Sequence, residues 1–337
     1  MGRTRTIAGF VAAFSSALVI WAAPGYGLTL GADFAADYTV TSLGSVPGVP
    51  INYGGLTFLD NDTILIGGAA NSSDGRIYQI DVVRGAGNHI TGFSGTASLF
   101  GGPGSGIGEF NDGGVVFGPG GVLFLARWPV NQIGQVKPGS TDEDKIVPGP
   151  SGAASSVSAL NFVPTGFSGA GDIKIVTYSA GQWFDATLTP DGTGTFNITN
   201  YVQVDLDPVA SGIQNVPGGP EGFVYIAAGN PGFGVPSMLI SEYAEGEVGA
   251  YELDSDGNPL VSTRRTFLSG LSGAEGAAID PLTGDYLFST FGGGNQVVVV
   301  QGFLPPQPPP AGVASPSTLL LVGLGLTALA AQLRNRP

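Results

Sequence analysis

Short runs of alternating apolar and polar residues, separated by glycine-rich turns, extend through the central part of the chain. Residues 275–301 show the pattern most clearly, with predicted strands at 275–280, 285–290 and 296–301. In the middle strand, Tyr286, Phe288 and Thr290 alternate with smaller residues, as on a half-buried pleated surface. The pattern predicts a meander of short antiparallel strands.

Similar groups of strands recur at intervals of roughly 50 residues, which is typical of the blades of an all-β, β-propeller fold. The predicted strands of four further blades are residues 56–59, 63–67, 76–82 and 89–93; 115–118, 122–127, 132–137 and 145–147; 158–163, 173–179, 183–189 and 195–199; and 223–227, 238–243, 248–253 and 260–267. We therefore predict five blades, and splitting residues 201–215 would give six.

The last blade has only three strands of its own. Residues 37–43 alternate like a strand but have no neighbouring hairpin partner. Propellers are commonly closed by pairing a strand from one end of the chain with the incomplete blade at the other end, which removes exposed sheet edges. We expect residues 37–43 to pair with residues 296–301.

Composition supports an all-β domain and excludes several other classes. The 57 glycines and 25 prolines argue against a helical protein, and the apolar fraction of 42% argues against disorder. All 26 acidic residues lie within residues 28–303, whereas four arginines lie in the two terminal segments. The net charge of residues 28–303 is therefore more negative than the −14 of the whole chain. Such a surface repels nucleic acid and suits divalent cations. With no cysteine, disulfides and thiolate metal sites are excluded.

Residues 1–27 have the parts of a secretory signal peptide. Arg3 and Arg5 precede a long apolar run that ends in small residues and a Pro-Gly break. The alternative is an uncleaved membrane helix. We expect cleavage, with residues 28–303 forming the propeller domain.

The other end of the chain contains a second predicted sorting segment. Residues 304–311 form a proline-rich spacer, and residues 312–337 contain an apolar helix candidate. Pro316-Ser317-Thr318, the Leu-Gly-rich helix, and the final Arg334 and Arg336 resemble the PEP-CTERM sorting signal of Gram-negative bacteria. The resemblance implies processing by an exosortase, transient membrane anchoring through the helix before processing, and delivery to the cell surface or the extracellular matrix.

Few residues can support nucleophilic catalysis. His89 is the only histidine, and its predicted place in an outer strand favours a rim position. Zinc sites built from several histidines are excluded. Trp128 and Trp183 could stack on sugars, although core packing is the commoner role of tryptophan.

Carboxylates are the best candidates for a site. Gly219-Pro220-Glu221-Gly222 and Gly273-Ala274-Glu275-Gly276 open two innermost strands alike, which predicts that Glu221 and Glu275 lie at one mouth of the central channel. Asn111 and Asp112 precede another innermost strand and can join them. Converging oxygen ligands suit Ca²⁺, and paired carboxylates suit glycoside hydrolysis. The alternative is that these groups cap turns.

The sequence favours an exported, acidic propeller with a binding or structural role and no catalytic function. Its expected partners are the sorting enzyme and an extracellular polysaccharide or protein. The alternative is a Ca²⁺-dependent hydrolase or lactonase-like enzyme that uses Glu221 and Glu275 at the channel mouth. An enzyme requires several polar groups with perturbed pKa values in one pocket.

Overall fold

The computed structural model describes residues 27–306, and these form five sheets, four of four strands and one of five, arranged around a central channel. The predicted five-bladed, all-β propeller is confirmed. In each blade the strands pair in an antiparallel meander. The predicted sixth blade does not form, because residues 204–219 contain no strand.

The strands follow the chain from the channel outward in blades 1 to 3. Blade 1 contains β3 (Leu56–Phe58), β4 (Thr63–Gly68), β5 (Arg76–Arg84) and β6 (Ile90–Leu99). Blade 2 contains β7 (Asn111–Phe117), β8 (Leu123–Arg127), β9 (Gln132–Val136) and β10 (Lys145–Pro148). Blade 3 contains β11 (Val157–Phe162), β12 (Ile173–Thr177), β13 (Trp183–Pro190) and β14 (Phe196–Gln203).

Blades 4 and 5 each receive a strand from the beginning of the described chain. Blade 4 contains β15 (Pro220–Ile226), β16 (Ser237–Glu242), β17 (Glu247–Glu252) and β18 (Arg265–Ser269), with β1 (Thr29–Leu30) outside β18. Blade 5 contains β19 (Ala274–Ile279), β20 (Tyr286–Thr290) and β21 (Val297–Gln301), with β2 (Thr39–Gly44) as its outer strand.

The predicted closure of the ring is therefore confirmed. Thr39 pairs with Gln301 and Gly44 with Val297, so the β2 strand completes blade 5. The sequence pattern did not predict β1, whose two residues are too few to show alternation. It also placed the last strand of blade 4 at residues 260–267, where the chain instead forms a 3-10 turn at Val261–Thr263 before β18.

Five apolar clusters fill the spaces between neighbouring blades, one at each interface. The cluster between blades 4 and 5 also takes in the chain ends, since Phe34 and Phe303 both pack there. Phe34 stacks on Phe233 at 5.0 Å, and Phe303 lies 4.0 Å from the ring of Tyr286. The described termini are therefore part of the core, which stabilises the closure of the ring.

Three single-turn 3-10 helices are the helical elements among residues 27–306. In this part of the chain no helix has the length and apolarity needed to cross a bilayer. The predicted signal peptide, apart from its last residue, and the predicted sorting helix lie outside the described residues.

Candidate functional site

The innermost strands begin with irregular pairing, and this positions the predicted site residues. The β7–β8 register breaks between Asn111 and Val115, and the corresponding breaks in blades 4 and 5 lie at 220–223 and 274–277. Such a bulge bends a strand and redirects a side chain. Asp112, Glu221 and Glu275 each lie within one of these breaks.

A glycine follows each of the three carboxylates, and close packing of the strands explains why. A Cβ on Gly222 would lie 2.4 Å from the amide nitrogen of Ala277, and one on Gly276 would lie 2.6 Å from Cα of Gly55. A Cβ on Gly113 would lie 2.8 Å from Cβ of Glu221. The acidic-Gly pair thus brings a carboxyl group to the channel where the backbones of neighbouring blades nearly touch.

The three carboxyl groups converge, as predicted for Glu221, Glu275 and Asp112. One oxygen from each lies within 4.8 Å of the others, and the residues are only 3%, 1% and 1% exposed, respectively. One oxygen of each group has no hydrogen-bond partner: Oδ2 of Asp112, Oε2 of Glu221 and Oε1 of Glu275. Buried polar atoms are normally paired, so a turn-capping role does not explain these three unpartnered oxygens.

Burial and mutual repulsion keep these groups protonated to unusually high pH. Burial raises the pKa of Asp112 to about 7. Burial, followed by the charges of the neighbouring carboxyl groups, raises the pKa of Glu221 well above its usual value, and burial and the Asp112 charge do the same for Glu275. A bound cation would offset both effects by supplying the missing positive charge.

Two asparagines lie beside Asp112, but only Asn71 donates a side-chain hydrogen bond to it. With its side-chain amide oriented so that nitrogen faces the cluster, Asn71 donates to Oδ1 of Asp112 at 2.8 Å. The backbone amide of Asn71 also donates to the backbone carbonyl of Asn111. The Asn111 side chain donates to the carbonyl of Gly108 at 2.7 Å, and its Oδ1 lies against Gly54 and Gly67. Asn111 therefore supports the loop between the blades and does not join the carboxylates.

Glu221 and Glu275 form the floor of an open cavity of about 170 Å³, which we call the cup. Asn71 and four aromatic side chains complete its lining: Trp128, Tyr178, Tyr243 and Phe291. Each aromatic residue directly follows the second strand of its blade, in blades 2 to 5. Of these four, only Trp128 was a predicted candidate; the other three occupy the same repeated position after a second strand, which is the sequence signal that identifies them.

The two predicted sugar-stacking tryptophans have different positions. Trp128 is half-buried in the wall of the cup, whereas Trp183 is fully buried between blades 3 and 4. The Trp183 indole donates to Oδ1 of Asn258 at 3.0 Å and packs on Phe223. Trp183 therefore has the core role that the sequence favoured over sugar stacking.

His89 lies at the opposite end of the blades from the cup. Its Nδ1 is 2.6 Å from Oδ2 of Asp285, which follows the β19–β20 turn. Glu275 is at the start of β19, so the length of that strand, about 16 Å, separates the two sites. His89 forms a rim contact between blades 1 and 5, as predicted, and cannot act on a ligand in the cup. The predicted sorting residues Pro316, Ser317, Thr318, Arg334 and Arg336 lie outside the described residues.

No family model and no curated protein matches the sequence. Among solved structures, a streptogramin B lyase is similar over 79% of this chain and 98% of its own, with 11% identity and a TM-score of 0.39. The PQQ-bound aldose sugar dehydrogenase of Streptomyces coelicolor is similar over 77% of this chain and 83% of its own, with 15% identity and a TM-score of 0.35. An auxiliary nutrient binding protein of Bacteroides ovatus is similar over 78% of this chain and 76% of its own, with 11% identity and a TM-score of 0.42. These similarities concern the fold alone, and the sheet topology of this chain identifies it as a five-bladed β-propeller.

Proposed function

We propose that this chain is an exported propeller that binds a cation in the cup and acts at the cell surface or in the extracellular matrix through binding. The observation that supports cation binding is the cluster of three buried carboxyl groups, each with one unpartnered oxygen. An isolated buried carboxylate is strongly unfavourable unless it is paired or coordinates a metal. Protons stabilise the cluster when no cation is bound.

Ca²⁺ is the inorganic cation that best matches this floor. It prefers oxygen ligands, six to eight in number, at about 2.3–2.6 Å. Asp112, Glu221 and Glu275 carry six carboxyl oxygens, one of which is already held by Asn71. The remaining coordination positions would be filled by water or by a ligand that enters from the open side of the cup.

Export is proposed from the terminal segments of the sequence. Arg3, Arg5 and the following apolar run support secretion, and Pro316 to Arg336 supports sorting by an exosortase. An extracellular polysaccharide or protein is the proposed partner. Ca²⁺ is abundant outside cells, so a site of this charge would be occupied there even at modest affinity.

Calorimetric titration of Ca²⁺ into metal-free protein tests the proposed site. We expect one binding event in the wild type and none in the Asp112→Asn/Glu221→Gln/Glu275→Gln variant. The matched control is Glu245→Gln, because Glu245 is exposed in the turn that follows β16, near the cup. If the wild type did not bind Ca²⁺, or if the triple variant bound it as tightly as the wild type, the result would contradict a cation site here.

A Ca²⁺-dependent hydrolase or lactonase-like activity is the second candidate. The observation that favours it is the pKa of Asp112, which burial raises to about 7, so that this group can exchange a proton near neutral pH. Turnover of lactone and glycoside substrates that depends on both Ca²⁺ and Asp112 would support the enzyme. Absence of turnover in protein that binds Ca²⁺ would favour the binding role.

A further inference from the structure

The wall of the cup is a ring of aromatic side chains contributed by four consecutive blades. Ring centroids are 6.3 Å apart for Trp128 and Tyr178, 5.7 Å for Tyr178 and Tyr243, and 6.0 Å for Tyr243 and Phe291. The planes of these neighbours differ by 80°, 80° and 69°. Five-fold repetition turns each blade by about 72°, so these interplanar angles agree with rings that repeat around the channel axis from one blade to the next.

The spacing of these rings suits a cation on the axis. A regular pentagon with sides of about 6 Å has its corners about 5 Å from the centre, within the ~6 Å range of cation–π attraction. Apart from the tyrosine hydroxyl groups, the four aromatic side chains offer no oxygen ligand. The wall therefore adds affinity for a cation that carries apolar surface, whereas a bare metal ion gains little from it.

The floor offers three hydrogen-bond acceptors without donors. Oε2 of Glu221 and Oε1 of Glu275 are unpartnered, and so is Oδ2 of Asp112, which belongs to the same cluster but does not itself line the cup. One oxygen from each residue lies within 4.8 Å of the other two. A primary ammonium group has three N–H donors in tetrahedral directions, and at about 2.8 Å it separates its three acceptors by about 4.6 Å. The number of unpartnered acceptors equals the number of donors, and the upper limit of 4.8 Å between one oxygen of each residue is compatible with a single ammonium nitrogen among the three groups.

We propose that the cup binds a primary alkylammonium group, with its nitrogen on the three carboxyl groups and its methylene chain between the aromatic rings. The proposal rests on the cation site of the proposed function and names the class of ligand for it. A quaternary ammonium would fit the wall but would leave the three acceptors unpaired, since it has no N–H group.

The volume of the cup agrees with such a ligand. About 170 Å³ is the space of five or six water molecules at ~30 Å³ each, and n-butylammonium has five heavy atoms. The four aromatic residues and Asn71 are all partly exposed, so the cup is open to solvent and a chain can enter it. Two sources share this chemistry: a free aliphatic amine and a lysine side chain of a partner protein.

Calorimetric titration with n-butylammonium chloride and with Nα-acetyl-lysine methylamide tests the proposal at neutral pH. We expect both to bind, n-butanol and tetramethylammonium to bind at least tenfold more weakly, and Ca²⁺ to compete for the same carboxyl groups. Glu275→Gln should weaken n-butylammonium at least tenfold, whereas Glu245→Gln should change it less than twofold. Tighter binding of the lysine derivative would indicate a protein lysine, and tighter binding of n-butylammonium would indicate a free amine.

Variants of the wall separate the two cations. Tyr243→Ala should weaken the binding of n-butylammonium at least fivefold and the binding of Ca²⁺ less than twofold. Tyr243→Phe keeps the ring and should bind both cations as the wild type does. Phe291→Leu gives the same comparison if Tyr243→Ala does not fold. Ca²⁺ binding without alkylammonium binding would overturn this inference and leave the proposed Ca²⁺ site intact. Alkylammonium binding without Ca²⁺ binding would support the inference and exclude Ca²⁺, and absence of both would contradict the two proposals together.

Discussion

Neutralising two of the converging carboxyl groups should make the cation-free protein more stable above neutral pH. The perturbation is the double substitution Glu221→Gln/Glu275→Gln, which keeps the size of each side chain, replaces one carboxyl oxygen by an amide NH2 donor and removes the charge. In the native site the two carboxyl groups and that of Asp112 are fully buried, with one oxygen of each within 4.8 Å of the others.

The magnitude follows from this separation. Two unit charges at the upper limit of 4.8 Å repel by about 3.5 kcal/mol at an effective dielectric constant of 20, and closer charges repel more strongly. Three such pairs would cost about 10 kcal/mol, which is comparable to the whole folding free energy of an ordinary domain. The cation-free folded protein therefore retains protons on these groups, in agreement with the raised pKa values of Asp112, Glu221 and Glu275.

The sign of the pH dependence follows from proton binding. In the unfolded chain these carboxyl groups lose their protons near pH 4, whereas burial raises the folded-state pKa of Asp112 to about 7 and that of both glutamates well above the usual value. Between these limits the folded state binds more protons, so the free energy of unfolding falls as pH rises. Each extra proton that the folded state retains lowers the free energy of unfolding by about 1.4 kcal/mol per pH unit, or by about 3 kcal/mol over two pH units.

Urea denaturation in a chelator at pH 5 and pH 8 measures this effect. We expect the wild type to lose several kcal/mol between the two pH values and the double variant to lose much less. Ca²⁺ at a hundred times its dissociation constant should raise the free energy of unfolding of the wild type by about 2.7 kcal/mol and leave that of the variant unchanged. Glu245→Gln should behave like the wild type. Equal pH dependence in the wild type and the double variant would refute the reasoning.

Four further outcomes are expected. Gly222→Ala should destabilise the fold by about 1–3 kcal/mol in denaturant titration, because its Cβ would lie 2.4 Å from a neighbouring backbone nitrogen. Arg264→Met should cost about 3–5 kcal/mol in the same assay, because it leaves the fully buried Glu242 without its ion-pair partner. Deleting residues 312–337 should shift the melting temperature by no more than about 2 °C but change where the protein accumulates, since a stiff proline-rich spacer precedes them. Amino-terminal sequencing of exported protein should begin near Leu28, and an intact Met1 would contradict export.

Local pattern was sufficient to predict much of the fold. Alternation of large and small side chains marked β20 almost to the residue, because a pleated strand imposes a period of two, and a run of the β-branched residue valine marked β21. The lack of a fourth strand in the last blade indicated closure by residues 37–43, since an open edge is unfavourable. Strand β1 escaped prediction because its pairing with β18 depends on distant residues and its two positions show no period.

The candidate site was predictable only where the blades repeat. Glu221 and Glu275 share a motif, so equivalent positions in two blades implied a common place at the channel. Asp112 has a different local sequence and was predicted to join them only from its place before an innermost strand; the structure shows that a bulge brings it to the same point. The aromatic wall was missed because single residues after strands are not distinctive unless the blades are aligned.

The sequence by itself indicated most of the strands and turns, five blades and all three candidate carboxyl groups, because these depend on periodicity, on local backbone preference and on position before an innermost strand. Only the tertiary structure decided which side chains meet on the channel axis. Trp128 and Trp183 are the same residue type in neighbouring blades, yet one lines the cup and the other is core. The physical reason is that proximity around the axis joins residues from different blades, and the burial that raises the carboxyl pKa values arises only when the ring closes.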